Sequence, residues 1–488
     1  MYLGIDLGTS EVKVLLMDAA QAIVATAQAP LAIQRPHAHW SEQHPDDWWA
    51  ATRTAIAAIA GSHPQELAAL RGIGLSGQMH GLTLLDKEGV VLRPAILWND
   101  TRAGAECVEL ERREPSLRTI TGNLAMPGFS APKALWVAIH EPGVWDRTAM
   151  VLLPKDYLRY RLTGECMSDM SDASGTLWLD VARRDWSDAM LAACGMTRAQ
   201  VPALVEGTAP AGMLRADLAR EWGIAHQVVV AGGAGDNAAS AVGMGVVAPG
   251  QSFISLGTSG VLFASSDAYQ PNPAQGVHTF CHALPGQWHQ MGVMLSAASC
   301  LRWAARATHA PDEAALVDEV AAAGDAARTA APLFLPYLSG ERTPHNDPHA
   351  SGVLLGLRHD TDRAQIGYAV LEGVAFGLRD CYMALQAAGG RVDVAALVGG
   401  GSQSDYWARL LASALDVPLT LNHGAHVGAA LGAARLALLA ADPSRTVQDV
   451  CAAPPVLRVI EPDGAWRAAL LPRYDRFRAL YDCVKPLF

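Results

Sequence analysis

The sequence lacks the features that would point to a nucleic-acid or membrane partner. It has no run of lysines or arginines, only 17% of its 488 residues are charged, and its formal net charge is −11, which disfavours binding to polyanionic surfaces. No basic segment and no small-residue cleavage site follow Met1, so no signal peptide is predicted. The longest charge-free stretch, residues 237–266, is interrupted by glycines and Pro249, whereas a membrane-spanning helix needs about 20 mostly apolar residues.

Paired cysteines are missing as well. The eight cysteines are scattered and none forms a Cys-x-x-Cys motif, so we expect reduced thiols in the core rather than disulfides or a zinc site. Together these absences predict a cytoplasmic protein. Apolar residues, in contrast, make up 50% of the chain, which excludes intrinsic disorder and, at this length, allows two or three domains.

An internal repeat divides the chain into halves. Residues 5–12 read Ile-Asp-Leu-Gly-Thr-Ser-Glu-Val, and 249 residues later the chain reads Ile-Ser-Leu-Gly-Thr-Ser-Gly-Val, with six of the eight positions identical. Because each copy opens one half of the chain, the repeat predicts two related domains. Pro249 and Gly250 form a predicted turn before the second copy, so the predicted domains are residues 1–246 and 247–488.

Each copy of the repeat has the pattern of two strands joined by a turn of small residues. Backbone N–H groups and hydroxyls in such a turn can close on phosphate oxygens, although an ordinary hairpin would also use small turn residues. Two copies that face a shared cleft would hold a phosphate chain from both sides. The predicted phosphate-binding residues are Gly8, Thr9, Ser10, Gly257, Thr258 and Ser259.

The copies differ two residues before the turn, where the first has Asp6 and the second has Ser255. A carboxylate beside a phosphate is unfavourable unless a cation lies between them, so Asp6 is a candidate ligand of Mg²⁺, directly or through water. An exposed turn aspartate is the alternative. Asp6 lies within a predicted strand, however, where aspartate is disfavoured.

A second acidic candidate follows a glycine-rich segment. Val228–Ala231 is typical of a buried strand, and the glycines after it predict a tight turn into a helix rich in alanine. Asp236 and Asn237 would then occupy the first turn of that helix, where the helix dipole would keep the carboxylate ionised and able to accept a proton. Both residue types are also common helix N-caps, so a purely structural role stays open.

Gly399, Gly400 and Gly401 form a third glycine cluster, between a predicted strand and a predicted helix. With Ser404, they would let a flat ring system approach the backbone. The segment is not a Walker loop, because no Gly-Lys-Ser/Thr follows, and it is not a dinucleotide fingerprint, whose glycine spacing differs.

Two segments of the first half are candidates for binding a polyol. A predicted strand runs into a polar turn that carries Met79 and His80, which would line a cleft wall, although a satisfied core histidine is the alternative for His80. Further along, Trp98, Asp100 and Arg102 combine an indole face with hydrogen-bonding groups.

Together these motifs resemble the FGGY family of carbohydrate kinases over nearly the whole chain. The resemblance rests on the two phosphate turns, Gly235–Asn237 and Gly399–Ser404, and also on Trp40–Gln43, the Pro132-Lys133 pair with Trp136, Leu153–Tyr157 and Leu338–Pro344. It implies an α/β fold of two ribonuclease-H-like domains, as in the actin-like ATPases, with a catalytic cleft between them.

The resemblance also implies roles for individual residues. Asp236 is similar to the catalytic base of the family, and Asp6 is similar to the acidic residue beside the metal and the phosphates. The other matching positions are Met79, His80 and Asn237 on the sugar side, Gly400 and Ser404 beside the adenosine, and Thr258 and Ser259 near the phosphates. His426 departs from the family pattern, in which an acidic residue is usual, and this leaves the role of its loop open.

The Gln78–Gly81 segment is similar to family members that act on D-xylulose. The implied reaction is the ATP-dependent phosphorylation of D-xylulose to D-xylulose 5-phosphate, with Mg²⁺ bound to the nucleotide and the two domains closing over the sugar. The resemblance also suggests a homodimer. The alternatives are a kinase for another sugar or sugar acid, such as L-ribulose or gluconate, and a non-metabolic actin-like ATPase.

Overall fold

In the N-terminal half, the opening motif forms the centre of a seven-stranded sheet. The structure is a computed structural model, and it describes residues 1–423 and 428–488. The strands of this half are β1 (Tyr2–Leu7), β2 (Glu11–Met17), β3 (Ile23–Pro30), β4 (Glu42–Gln43), β5 (Gly72–Gly77), β6 (Thr83–Leu85), β7 (Ala95–Ile96), β8 (Met150–Leu152), β9 (Met167–Asp169), β10 (Leu179–Asp180), β11 (Asp185–Trp186), β12 (Ala203–Val205), β13 (Pro210–Met213), β14 (Val229–Ala231) and β15 (Ala234–Gly235). Its helices are α1 (Pro45–Ser62), α2 (Pro64–Ala68), α3 (Gly104–Arg113), α4 (Leu117–Thr121), α5 (Ser130–His140), α6 (Pro142–Trp145), α7 (Pro154–Thr163), α8 (Met170–Ser174), α9 (Asp188–Ala193), α10 (Ala216–Glu221) and α11 (Asp236–Met244).

The order of the strands in this first sheet is β13-β14-β5-β1-β2-β3, and β15 pairs with β5 beyond the end of β14. β1 is antiparallel to β2 and parallel to β5. β14 and β15 also run parallel to β5, so the ends of β1, β5 and β15 meet at one edge of the sheet. Both predicted acidic residues lie at that edge.

The C-terminal half repeats this topology. Its strands are β16 (Gly250–Leu256), β17 (Gly260–Ser266), β18 (His278–Cys281), β19 (Trp288–Met294), β20 (Leu333–Leu335), β21 (Val353–Leu355), β22 (Val392–Val398), β23 (Leu419–Asn422) and β24 (Val456–Ile460). Its described helices are α12 (Ala298–Ala307), α13 (Glu313–Ala323), α14 (Asp325–Ala330), α15 (Arg363–Ala387), α16 (Asp405–Leu415), α17 (Gly428–Ala441), α18 (Val447–Val450) and α19 (Gly464–Val484).

In the second sheet the strand order is β18-β19-β17-β16-β22-β23-β24. β16 is antiparallel to β17 and parallel to β22, as β1 is to β2 and β5. The sequence repeat is therefore a repeat of topology, and the predicted pair of ribonuclease-H-like domains is confirmed. The C-terminal helix, α19, packs its apolar side chains into the core of the second half.

Six of the eight cysteines are buried, as predicted, whereas Cys166 is half-buried and Cys483 is exposed on α19. Among the described helices, none combines the length and the apolar character of a membrane span.

Helix α17 belongs to the C-terminal half of the chain but packs on the N-terminal sheet and on α11. The contact depends on glycine. A Cβ at Gly4 of β1 would overlap the carbonyl oxygen of Ala430, and one at Gly74 of β5 would overlap that of Ala433. On the neighbouring helix, Gly243 is equally close to the backbone of α17. Backbones can approach this closely only where no side chain intervenes.

We expect Gly74→Ala to destabilise the protein, because the added methyl group would push α17 away from the sheet. Overpacking of this kind costs about 1–3 kcal/mol, measured as the free energy of unfolding in urea. The matched control is Gly61→Ala in α1, where a Cβ would meet nothing within 4 Å and a helical alanine should be neutral or stabilising by up to about 1 kcal/mol. Equal stability of Gly74→Ala and the wild type would contradict the close contact.

Candidate active site

Two aspartates lie at the edge of the N-terminal sheet where β1, β5 and β15 end. Asp6, within β1, is the register partner of Ser76 in β5, and the Ser76 hydroxyl donates to Asp6 Oδ1 at 2.9 Å. Asp236 is the first residue of α11, as predicted. Its Oδ1 accepts hydrogen bonds from the backbone N–H of Asn237 at 2.7 Å and from the Asn237 side-chain amide at 2.9 Å.

The environment of these carboxylates changes their acidity. Burial and, secondly, the charge of Asp6 raise the pKa of Asp236 to about 6. Burial also raises the pKa of Asp6 above its ordinary value, against the hydrogen bond from Ser76, which lowers it. The position of Asp236 in the first turn of α11 predicts a carboxylate that the helix dipole keeps ionised. Burial and the charge of Asp6 shift its pKa in the opposite direction.

A cavity of about 280 Å³ lies between the two halves of the chain and is lined by both. Asp6 and Asn237 contribute from the N-terminal half, whereas Ser255 and Gly399 contribute from the C-terminal half. Asp6 and Ser255 occupy equivalent positions of the repeat, so the two copies face a common space. The first residues of α17 form another wall. The predicted cleft between the domains is therefore present.

Lys13 also lines this cavity, and the sequence analysis did not single it out. It is the register partner of Asp6 across the β1–β2 hairpin, and its ammonium lies 3.6 Å from a carboxylate oxygen of Glu11. Pairing the two strands about the Gly8–Ser10 turn would have placed Lys13 beside Asp6. The side chain brings positive charge to the cavity that Asp6 also lines.

A larger cavity, of about 680 Å³, lies wholly within the C-terminal half, between helices α12 and α13 and the third glycine cluster. Gly400, Gly401 and Ser404 line it, as the prediction of a ring-binding loop requires. The hydroxyl of Ser404 accepts a hydrogen bond from Trp407 N–H and so caps α16.

Gly399 has φ +89°, and a Cβ there would lie 2.7 Å from the carbonyl oxygen of Leu256. Gly399 also lines the smaller cavity, so this loop borders both.

The first Gly-Thr-Ser turn is held by hydrogen bonds from its own half. The N–H of Gly8 donates to the carbonyl of Glu11. The hydroxyl of Thr9 donates to Gln78 Oε1 at 3.2 Å and accepts from Trp98 Nε1 at 3.0 Å. The structure thus brings Trp98, Thr9 and the Gln78 segment together, which the sequence analysis treated as separate features.

The second turn is also closed by a backbone hydrogen bond, which the N–H of Gly257 donates to the carbonyl of Ser259. The backbone carbonyl of Thr258 accepts from the N–H of Ala297. The side chains of Ser10, Thr258 and Ser259 are exposed, so their hydroxyls remain accessible to a ligand. The assignment of these turns to phosphate binding stays a prediction.

Met79 and His80 lie next to the segment that leads into Asp236. A Cβ at Gly235 would lie 2.8 Å from the Met79 sulfur. His80 adopts a left-handed backbone conformation, with φ +70°, and its ring Nδ1 lies 2.7 Å from the carbonyl oxygen of Gly175. Burial lowers the pKa of His80 to about 3. The ring is therefore neutral, Nδ1 donates to that carbonyl, and Nε2 is an acceptor.

The Pro132-Lys133 motif has a structural explanation. The side chain of Lys133 is fully buried, and its ammonium donates to the backbone carbonyl of His80 at 3.0 Å. The Ser130 hydroxyl donates to the same carbonyl at 3.0 Å. Two donors from α5 therefore hold the carbonyl of a residue with an unusual backbone conformation.

The structure corrects the prediction that Asp100 and Arg102 offer a polar surface to a polyol. The carboxylate of Asp100 accepts hydrogen bonds from Arg102 Nε and Nη2 at 2.9 and 2.6 Å. Arg102 also pairs with Glu42 at 2.7 Å and lies over the ring of Trp40. Both side chains are buried, so their charges neutralise each other and anchor the loop that carries Trp98. Trp98 itself is 47% exposed and stays a candidate ligand-binding residue.

His426 lies outside the described residues.

Comparison with known proteins places both halves in one family. Residues 1–243 match the N-terminal domain of the FGGY family of carbohydrate kinases, and residues 252–441 match its C-terminal domain. Over the full length of both chains, the sequence is 52% identical to the xylulose kinase of Escherichia coli K12 and 50% identical to that of Klebsiella pneumoniae. The crystal structure of a "xyloylose kinase" from Brucella ovis superposes with a TM-score of 0.96, at 53% identity and full coverage of both chains.

We expect the Asp236 carboxyl to titrate near pH 6, as followed by NMR of the protein labelled with carboxyl-¹³C aspartate. Asp6→Asn removes the neighbouring negative charge and should lower this pKa. Asp47→Asn, which removes an exposed charge on α1, is the control and should leave it unchanged. The signal is assigned by its loss in Asp236→Asn. If the pKa of Asp236 is the same in Asp6→Asn as in the wild type, the two carboxylates do not interact.

Proposed function

This chain belongs to the FGGY family of carbohydrate kinases, and we propose that it transfers the γ-phosphoryl group of ATP to D-xylulose, forming D-xylulose 5-phosphate and ADP. Full-length identities of 50–52% to two xylulose kinases support this substrate. The single observation that carries the proposal is the shared cavity. It brings Asp6 and Asn237 of one half opposite Gly399 of the other. Asp236 is hydrogen-bonded to Asn237, and Met79 adjoins Gly235, the residue before Asp236.

Asp236 is the general base in this proposal. A base works best when its pKa lies somewhat below the working pH, because it is then ionised yet still attracts a proton. A pKa of about 6 meets this condition at pH 7. Asn237 orients the carboxylate through two hydrogen bonds. The carboxylate accepts the proton of the terminal sugar hydroxyl as that oxygen bonds to the γ-phosphorus and the bond to the β-phosphate oxygen breaks.

The sugar binds, in this proposal, against Met79, His80, Asn237 and Trp98. The neutral His80 ring offers Nε2 as an acceptor for a sugar hydroxyl, and the exposed indole of Trp98 offers an apolar face. The position of Met79 against Gly235 puts this surface directly beside the base. Phosphoryl transfer has a loose transition state, so this positioning contributes more than the strength of the base.

ATP binds across both cavities, with the adenosine between α12, α13 and Gly400–Ser404 and the phosphates extending past Gly399 toward Asp6. The larger cavity has the size of a typical ligand pocket. Lys13 supplies positive charge at the phosphate end. The exposed hydroxyls of the two Gly-Thr-Ser turns are the remaining candidate phosphate ligands.

The residues of the smaller cavity also fit a magnesium ion. Mg²⁺ prefers carboxylate oxygens and keeps several waters and phosphate ligands. The charge of Asp6, which lines the cavity, raises the pKa of Asp236, so a cation beside Asp6 would relieve the repulsion between the two carboxylates. We propose that Asp6 holds the ion, directly or through water. When bound, Mg²⁺ neutralises charge on the transferring phosphate.

Three further assignments remain proposals. The domain limits are residues 1–246 and 247–488, supported by family matches that end at 243 and begin at 252. A cytoplasmic location and a homodimer are the other two. Size-exclusion chromatography with light scattering measures the oligomeric state directly.

The proposed reaction predicts that ADP release is fastest with D-xylulose in a coupled assay across D-xylulose, ribulose, gluconate and glycerol. Without sugar, ATP hydrolysis should be far slower, because the halves close only around a sugar. Equal ADP release with and without D-xylulose would contradict sugar-induced closure. A faster rate with gluconate or ribulose would assign another sugar to the same site.

The control for that assay is Asp236→Asn, which keeps the shape of the side chain and removes the base. Its kcat should fall about 10²–10⁴-fold, while D-xylulose and ATP still bind in isothermal titration calorimetry. Asp47→Asn should keep the wild-type kcat. A high kcat for Asp236→Asn would remove Asp236 from its proposed role.

Asp6→Ala should lower activity in a way that higher Mg²⁺ concentrations partly restore, because the remaining ligands bind the ion more weakly. The measurement is the Mg²⁺ dependence of kcat at saturating ATP and D-xylulose. A Mg²⁺ dependence identical to that of the wild type would argue against a metal-binding role for Asp6.

A further inference from the structure

The short helix α8 contacts the supports of both candidate reaction groups. Gly235 N–H, which belongs to the residue before Asp236, donates to Ser171 Oγ at 3.1 Å. At the other end of the helix, the carbonyl of Gly175 accepts from the His80 ring at 2.7 Å. This short helix therefore links the segment that carries the proposed base to the ring of His80, a proposed sugar ligand.

The hydrogen bonds around Ser171 have a fixed direction. The hydroxyl of Ser171 lies 2.5 Å from Asp169 Oδ1, and the backbone N–H of the same residue donates to that oxygen at 2.9 Å. An ionised carboxylate only accepts, so the Ser171 hydroxyl must donate its proton to Asp169. The oxygen lone pair is then left for the Gly235 N–H, and the orientation of that peptide is determined.

Asp169 is itself anchored by a buried cation. The ammonium of Lys155 lies 2.6 Å from the carboxylates of both Asp156 and Asp169 and 3.1 Å from that of Asp172, and all four side chains are fully buried. These three aspartates are close enough together to hold a metal ion, but the Lys155 ammonium already supplies the positive charge. The cluster is therefore an anchor, and breaking it would leave an uncompensated buried charge.

We propose that Ser171 is a positioning residue for Asp236: it holds the Gly235 peptide in the orientation that aims the carboxylate at the sugar hydroxyl, and the Lys155–Asp169 pair holds Ser171. The proposal rests on the proposed function of Asp236 as the base. Met79 packs against the Gly235 α-carbon, so the peptide before Asp236 is confined by the side chain on one side and tethered by the hydrogen bond.

The test compares Ser171→Ala with Ser174→Ala, a matched variant in the same helix. Both serines are fully buried. Ser174 Oγ likewise accepts from a backbone N–H, that of Cys281, at 3.0 Å, and donates to the Met170 carbonyl. Each substitution deletes one acceptor of a buried N–H, so the loss of thermal stability should be similar. Ser171→Ala alone should lower kcat, by about ten- to a hundredfold for a misaligned base, with the KM for ATP unchanged.

Two further measurements separate positioning from folding. Ser171→Thr keeps the hydroxyl and should restore most of the kcat. Hydrogen–deuterium exchange should accelerate at Gly235 in Ser171→Ala and at Cys281 in Ser174→Ala. A wild-type kcat in Ser171→Ala, an equal loss of kcat in both alanine variants, or unchanged exchange at Gly235 would each overturn the proposal.

A failure of the kinase assignment can be distinguished from a failure of the proposal for Ser171. If the wild-type protein phosphorylates no sugar of the panel, the kinase assignment fails. The exchange rate of Gly235 and the rate of ATP hydrolysis in Ser171→Ala then still decide whether Ser171 orients the peptide before Asp236. Accelerated exchange together with slowed hydrolysis supports the positioning role, and the absence of either overturns it.

Discussion

The site depends on the contact between helix α17 and the N-terminal sheet, which only glycine permits. Gly4 and Gly74 let the backbone of α17 rest directly on β1 and β5, and Gly243 lets it rest on α11. Its first residues then form a wall of the cavity that Asp6 also lines. Larger side chains at these glycine positions would push α17 away from the sheet and move the second repeat away from Asp6 and Asp236. The glycines that face this helix thus determine how closely the two halves meet.

Charge is the second constraint, because an acidic protein must bind a nucleotide with several negative charges. The chain carries a net charge of −11, and the cavity is lined by Asp6, whose own pKa is raised by burial and whose charge raises the pKa of Asp236. The positive charge that offsets these negative charges comes from groups close to the site. Lys13 lies opposite Asp6 in the hairpin, and a cation between the carboxylates and the phosphates would complete it. The raised pKa of Asp236, which comes first from burial and then from the charge of Asp6, would make the carboxylate a better proton acceptor in the proposed reaction.

The sequence predicted the secondary-structure elements of this site better than it predicted which distant residues would contact each other. The strand–turn–strand repeats, the helix that begins at Asp236 and the loop around Gly400 all follow from local patterns of small and apolar residues, and the structure contains each of them. Asp100 and Arg102 were misjudged because their partner Glu42 is almost sixty positions away in the chain, and no local pattern shows a long-range ion pair. The packing of α17 on the opposite half was missed for the same reason, since a run of alanine and glycine does not indicate which surface it covers. The link from Ser171 to Gly235 likewise joins segments about sixty residues apart.

The supports of the proposed base and the proposed pocket for the nucleotide belong to different halves of the chain. Asp236 is oriented by Asn237, and the peptide before it is held by Ser171 and confined by Met79, all within the N-terminal half. Among the residues that the structure describes, those lining the larger cavity lie between positions 298 and 407 of the C-terminal half. Closure of the two halves would therefore bring the phosphates toward the base without disturbing the hydrogen bonds that aim it. Such a division suits a transfer to sugar rather than to water, because the base stays aligned while the distance to the phosphate depends on whether a sugar fills the cleft.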